Sequence, residues 1–225
     1  MGAKRTFFWE NLEPEKLWYL VGLITSDGCL SSDERHIDIT SKDISLLKSV
    51  RQSLGIVNKI TSKNNGQGLI SFHIQIGSVS FYRFLKAVGL FPNKSLALSD
   101  LDVPRKHFNH FLRGLIDGDG CIRHWIHPTN GCEQWSLRIC AGSEPFLKWL
   151  QRKMLENYGA KGRIHKNDPN SHSIVLKYGK MAGQIILFAC YNKNLLALKR
   201  KNELACECIA ARRGWSKSKT ISNNA

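Results

Sequence analysis

Apolar positions along the chain change period several times, and the same order of changes occurs twice. From Pro14 the run Leu17-Trp-Tyr-Leu-Val-Gly22-Leu-Ile-Thr-Ser26-Asp27 is apolar nearly all round, which predicts a buried helix. Pro14 suits its first turn, with Asn11 or Glu13 just before. Arg35-His-Ile37-Asp-Ile39-Thr40 then alternates with period two, as a half-buried strand does. Helical spacing returns from Asp43 to Gly55, with Asp43 placed to cap the start and Gly55 the end. Two further strands, 58–63 and 69–76, and a helix over 78–88 complete the first set, with the Gly66-Gln-Gly68 turn between the strands.

The second set begins at Leu112. Trp135-Ser-Leu137-Arg-Ile139-Cys140 is its alternating strand, a helix follows over 143–158 with Gly159 closing it, and strands over 162–166 and 173–178 flank Asp168-Pro169-Asn170. A helix over 181–191 ends the set. The prediction is an α/β (α+β) protein of two pseudo-symmetric αββαββα halves, at 1–98 and 109–212. A linker spans 99–108 and a polar tail 213–225. Ile37, Ile39, Leu137 and Ile139 should face helices, whereas His36, Asp38, Ser136 and Arg138 should face outward.

The repeat is most explicit in two nonamers, Leu20-Val-Gly-Leu-Ile-Thr-Ser-Asp27-Gly28 and Leu112-Arg-Gly-Leu-Ile-Asp-Gly-Asp119-Gly120. Gly22 and Ser26, like Gly114 and Gly118, lie four apart on one helix face. Small residues there let two backbones approach closely. A mid-helix glycine costs about 1 kcal/mol against alanine, so a packing reason is expected. Asp27 and Asp119 close their helices at the negative end of the dipole, the unfavourable end for a carboxylate. Gly28 and Gly120 are expected as left-handed caps. Two carboxylates gathered at such ends call for a cation, and an all-oxygen site favours Mg²⁺.

Charge adds a partner. Lys and Arg number 33 against 18 acidic residues in 225, a net +15, which favours a polyanion, most simply nucleic acid. No apolar run is long enough to cross a membrane, and the N-terminus lacks the apolar stretch of a secretion signal. An intracellular protein, in cytoplasm or organelle matrix, is expected. The seven cysteines contain no CxxC pair and read as reduced thiols. His107-x-x-His110 and His124-x-x-His127 lack a third ligand and read as surface or groove histidines.

With these residues in view, the two nonamers resemble the paired signature motifs of single-chain LAGLIDADG homing endonucleases. The second matches at seven of nine letters and the first at six. Thr25 stands where that motif has its first acid, and Val21 and Arg113 replace its small second residue. The resemblance implies a saddle-shaped monomer whose two sheets lie in the DNA major groove, with the motif helices between the halves. Asp27 and Asp119 would bind two or three Mg²⁺ ions at the scissile phosphates, joined by the carbonyls of Ser26 and Gly118. Both strands would be cut with 3′ overhangs, promoting mobility of a host intron or intein.

Thr40-Ser41-Lys42 resembles a family segment that orders water, with Ser41 in the central place. Pro92-Asn93-Lys94-Ser95 and Leu198-Lys199-Arg200-Lys201 resemble the segment that supplies a pocket lysine, with Lys94 and Lys199 as the candidates. The DNA-reading candidates are His36, Asp38, Lys42, His73, Gln75, Arg123, Gln134, Ser136, Arg138, Arg163 and Lys177. Double-stranded DNA is the expected partner. The alternatives are a maturase acting on host intron RNA and a catalytically silent DNA-binding protein of the same fold.

Overall fold

The structure, a computed structural model, describes residues 7–64, 70–166, 173–191 and 195–211. Helix α1 (Pro14–Asp27) runs into β1 (Gly28–Leu30), which forms a hairpin with β2 (His36–Ser41). Next come α2 (Ile44–Ser53), β3 (Ile60–Asn64), β4 (Ile70–Gly77) and α3 (Val79–Val88). The second half repeats the order with α4 (Phe108–Asp119), β5 (Gly120–Ile126), β6 (Glu133–Ala141), α5 (Glu144–Tyr158), β7 (Arg163–Lys166), β8 (Ile174–Gly179) and α6 (Lys180–Tyr191). A further helix, α7 (Lys199–Ala210), follows.

The strands form two antiparallel sheets of matching order, β1-β2-β4-β3 and β5-β6-β8-β7. The register is also repeated: Gly28 faces Ile39 and Gly120 faces Ile139. The second hairpin is the longer, since β5 runs to Ile126 where β1 stops at Leu30. Ile37, Ile39, Leu137 and Ile139 are buried against the helices, so the period-two reading had the correct phase. Asp43, Ser78 and Ser143 each cap a helix by accepting from a backbone N–H two or three residues on. The expected turns at 66–68 and 168–170 and the tail at 213–225 lie outside the described residues.

Helices α1 and α4 pass backbone against backbone. A Cβ on Gly22 would stand 1.9 Å from the Phe111 carbonyl oxygen, and one on Gly114 would stand 2.0 Å from that of Tyr19. Both contacts are to main chain, which cannot swing aside. Gly22→Ala is therefore expected to force the helices apart, lowering unfolding stability by about 1–3 kcal/mol, as overpacking does. Denaturant unfolding measures it, and an unchanged midpoint would contradict the close approach.

Gly28 and Gly120 are not left-handed caps. Both are extended (φ −100° and −79°), and their N–H groups close the last helical turn on Ile24 and Ile116. Lack of a side chain is what matters, since a Cβ would lie 2.6 Å from the Ile24 oxygen or 2.5 Å from that of Ile116. His110 is buried beside Arg113, so it is neither a surface nor a groove residue. Among the described residues the thiols are free, with Cys29, Cys121 and Cys206 exposed.

Candidate active site

The crossing of α1 and α4 brings their C-terminal ends together at the floor of one cleft. A Cβ on Gly118 would stand 1.9 Å from the Ser26 hydroxyl and 3.1 Å from an Asp27 carboxylate oxygen, so the bare glycine lets the ends converge. The cleft measures about 920 Å³ and draws on both halves: Ser26 to Cys29 and Thr40 to Ile44 from the first, Asp117 to Asp119, Leu198 and Arg200 from the second.

Both terminal carboxyls resist ionisation. Burial pushes Asp27 up to about 6, the charge of Asp119 adds to this, and Lys201, Lys94 and Arg200 oppose it. Asp119 is also raised, again chiefly by burial, with Lys201 and Lys94 opposing. A carboxyl raised from its ordinary 3.8 holds its proton better folded than unfolded. The stability it lends is complete below the unfolded value and is lost as pH rises through about 6. In chelator, Asp27→Asn is therefore expected to raise unfolding free energy at pH 7–8 by about 1–3 kcal/mol, and to have little effect near pH 4. Chemical denaturation at the two pH values checks this, and equal effects at both would contradict it.

The lysines divide differently from the sequence expectation. Lys94, in a short 3₁₀ turn at Lys94–Leu96, is buried as expected and donates to the Gly28 carbonyl; desolvation lowers its pKa. Lys199 is exposed and 4.0 Å from Glu203, so it does not enter the cleft. Lys201, two residues on, is buried and pushed down to about 8 by desolvation. Its ammonium donates to the carbonyls of Ile116 (2.7 Å), Asp117 (2.7 Å) and Gly118 (3.0 Å). It thus supplies a donor to the Asp117 and Gly118 carbonyls and shares the Ile116 carbonyl with the Gly120 N–H, at the C-terminus of α4 where the dipole favours a cation. The Gly118 carbonyl, expected as a metal ligand, is already engaged by this lysine and offers only its second lone pair. The Ser26 hydroxyl turns back to the Leu23 carbonyl (3.1 Å).

Asp117 is not among the site residues expected from the sequence; its carboxylate is buried at the centre of a junction. It accepts from Tyr19 of the first half, from Tyr191 at the end of α6 and from the Leu198 N–H that precedes α7, each at 2.7 Å. These bonds fix the start of α7 and so the place of Lys201. Thr25, at the same motif position in the first half, only bonds its own helix at Val21. The hint in the sequence was this asymmetry between Thr25 and Asp117.

Ser41 lines the cleft and accepts from the Asp43 N–H at 3.1 Å; Lys42 is exposed beside it. The second half has no equivalent, because Ala141 stands in the place of Ser41 and carries no hydroxyl; Gly142 stands in the place of Lys42, where a side chain would meet Leu96 at 2.7 Å and the Ser95 carbonyl at 2.9 Å. On the open sheet faces, Gln75 donates to Asp38 (3.2 Å), His73 lies 3.2 Å from the Thr61 hydroxyl, and His36 pairs with Asp33. Arg123 and Arg163 are exposed, while Gln134, Arg138 and Lys177 are half-buried. Ser136 corrects an expectation. It lies on the outward side of β6 but is only 2 % exposed, and its hydroxyl has no partner among the described residues.

Two carboxylates and main-chain carbonyls are hard oxygen donors. Among the described residues no group of three or more His, Cys, Asp or Glu could hold a metal by itself. Such a sparse oxygen set fits Mg²⁺, which keeps waters and takes phosphate oxygens as ligands.

The model of the LAGLIDADG-like domain family matches residues 14–89 and 109–201. Solved structures share the fold. The homing endonuclease I-WcaI bound to its DNA recognition sequence aligns with a TM-score of 0.62 at 10% identity, over 86% of this chain and 87% of its own. An I-DmoI variant in complex with its target DNA and in the presence of 2 mM Mn aligns at 0.53 and 19% identity, over 81% of this chain and 97% of its own. Full-length DUF199/WhiA from Thermatoga maritima aligns at 0.56 and 17% identity, over 90% of this chain and 67% of its own. A sequence comparison with curated proteins gave no match.

Proposed function

The chain belongs to the LAGLIDADG-like domain family, and from that premise we propose that it is a site-specific endonuclease that cuts both strands of a long DNA target with a divalent metal. The observation that carries this reading is the meeting of Asp27 and Asp119, one from each half, in a single cleft flanked by buried lysines. A protein with net charge +15 holding two reluctant carboxylates at one point is suited to place a metal against a polyanion. The DNA-bound state of I-WcaI and the Mn-containing complex of I-DmoI support DNA and metal as partners.

Asp27 and Asp119 would hold the ions, with the Ser26 carbonyl and the free lone pair of Gly118 as further oxygen donors. Bound Mg²⁺ would supply Lewis acidity and an activated water for phosphodiester hydrolysis. The chain's own residues do the rest. Lys94 and Lys201 bring positive charge beside the two acids, where a scissile phosphate gains negative charge. Ser41 offers a hydroxyl to order water at the cleft wall. The sheets grip the duplex through Arg123, Arg138, Arg163 and Lys177, with Lys42 in the turn just past β2.

A plasmid pool carrying a randomised insert tests the reading. With Mg²⁺ and purified protein, a subset is expected to become linear with 3′ overhangs, and with chelator none should. Binding should weaken steeply with salt, because neutralised phosphates release counterions. No linear product with Mg²⁺, Mn²⁺ or Ca²⁺ would sink the proposal. The likeness to DUF199/WhiA, whose name does not call it an endonuclease, supports a second reading of binding without cutting. A sequence-specific footprint that persists without any cleavage would favour it.

A further inference from the structure

Two charged side chains one turn apart on α4, Arg113 and Asp117, are only 1 % and 2 % exposed. Among the described residues they form no ion pair with each other. Both direct their hydrogen bonds at the ends of the stretch that joins α6 to α7. Where α6 ends, Arg113 donates to the Cys190 carbonyl (3.1 Å) and Asp117 accepts from the Tyr191 hydroxyl (2.7 Å). Where α7 begins, Arg113 donates to the Leu196 carbonyl (2.9 Å) and Asp117 accepts from the Leu198 N–H (2.7 Å). One donor and one acceptor thus hold each end. The footing lies in the other half: Tyr19 of α1 donates to Asp117 at 2.7 Å, and the Arg113 guanidinium stands 5.3 Å from the centre of its ring.

Helix α7 needs such a hold. Its buried residues, Lys201, Ala205 and Cys208, bring little apolar area, and Leu204 and Ile209 are only partly covered. Leu198, at its N-cap, provides no side-chain cap. The helix must also keep the Lys201 ammonium out of water, which is tolerable only while the Asp117 and Gly118 carbonyls meet it. Displacing such a group by about 1 Å can cost on the order of a hundredfold in rate. The first half uses no comparable device: Val21 and Thr25 stand at the matched positions, and Thr25 bonds its own helix.

We propose that Arg113 and Asp117 are positioning residues, which together clamp α7 onto α4 and so set Lys201 beside the two acids. The proposal rests on the endonuclease reading and adds two residues that act on the reaction through Lys201.

The test is a double-mutant cycle on the single-turnover cleavage rate, with Mg²⁺ and the target recovered from the plasmid pool, beside duplex binding in chelator. Arg113→Met and Asp117→Leu are each expected to slow cleavage about 10- to 100-fold, as loss of an orienting partner does, with binding unchanged. In the Lys201→Met background either should add less than about threefold, because the group they place is gone. Asp117→Asn should recover most of the rate lost in Asp117→Leu. Its oxygen still accepts from Tyr19 and Leu198, and the Tyr191 hydroxyl can turn to accept from its amide.

Thiol labelling reads the docking of α7 without DNA. Cys206 and Cys208 share that helix, the first exposed and the second buried. Cys208 is expected to label several-fold faster in Arg113→Met and Asp117→Leu, with Cys206 unchanged. Losses of full size in the Lys201→Met background would overturn the proposal, and so would wild-type protection of Cys208 in both variants. Should either variant fold poorly, Tyr191→Phe removes one donor and keeps the carboxylate. It repeats the cycle with a smaller loss, which must likewise vanish without Lys201. Undiminished cutting by the variants sinks this inference alone, whereas a wild type that cuts no duplex sinks the endonuclease reading with it.

Discussion

Asp27→Asn and Asp119→Asn are each expected to lower the double-strand cleavage rate by on the order of a thousandfold or more, with duplex binding kept. The size follows from the role: several kcal/mol of charge stabilisation at the phosphate depend on ions that these carboxylates would hold. Either substitution should suffice, because the two acids come from opposite halves and converge on one cleft. Unfolding cannot mimic the result. The neutral amide removes a charge that burial and Asp119 both oppose, so the Asp27→Asn protein in chelator should be at least as stable as wild type at neutral pH. Gel assays of linear and nicked plasmid, beside binding in chelator, separate the two effects. Wild-type linearisation by either variant would remove that aspartate from the chemistry, and nicking without linearisation would show that each acid serves one strand.

The αββαββα order could be read from the chain because each element rests on a local signal. Alternation placed Ile37, Ile39, Leu137 and Ile139 on the inner faces, and Asp43, Gly159 and Pro14 marked helix ends. The convergence of the halves was readable too, since Gly22 and Gly114 have no local reason to sit in mid-helix. Helix α7 was not readable. Its buried residues, Lys201, Ala205 and Cys208, keep helical spacing but are scarcely apolar, so the stripe does not stand out. Missing that helix also misplaced the pocket lysine, because Lys199 and Lys201 differ only in which side of α7 they occupy. Ser136 followed its alternation yet is buried, a packing outcome that periodicity does not encode. Asp117 was hidden for a similar reason. Its partners Tyr19, Tyr191 and Leu198 are distant in sequence and meet only in three dimensions.

Lys201→Met is expected to slow cleavage by roughly 10²- to 10³-fold, the usual loss on removing one preorganised donor from developing charge. Lys199→Ala should change it by less than about twofold, as expected of an exposed residue that makes only a surface ion pair. Methionine also removes the Lys201 donor from the Asp117 and Gly118 carbonyls, while Ile116 keeps the Gly120 N–H, so some stability will be lost, about 1–3 kcal/mol. The pH profile separates this capping role from a catalytic one. Desolvation brings the Lys201 ammonium down to about 8, so a rate that depends on its charge should fall as pH rises through that value. Lys201→Arg keeps a charge at every accessible pH and should abolish that decline while restoring part of the rate. A rate that instead rises through pH 8 would make the neutral amine the active form. A decline unaltered in the arginine variant would assign the titration to another group and leave Lys201 as the cap of α4.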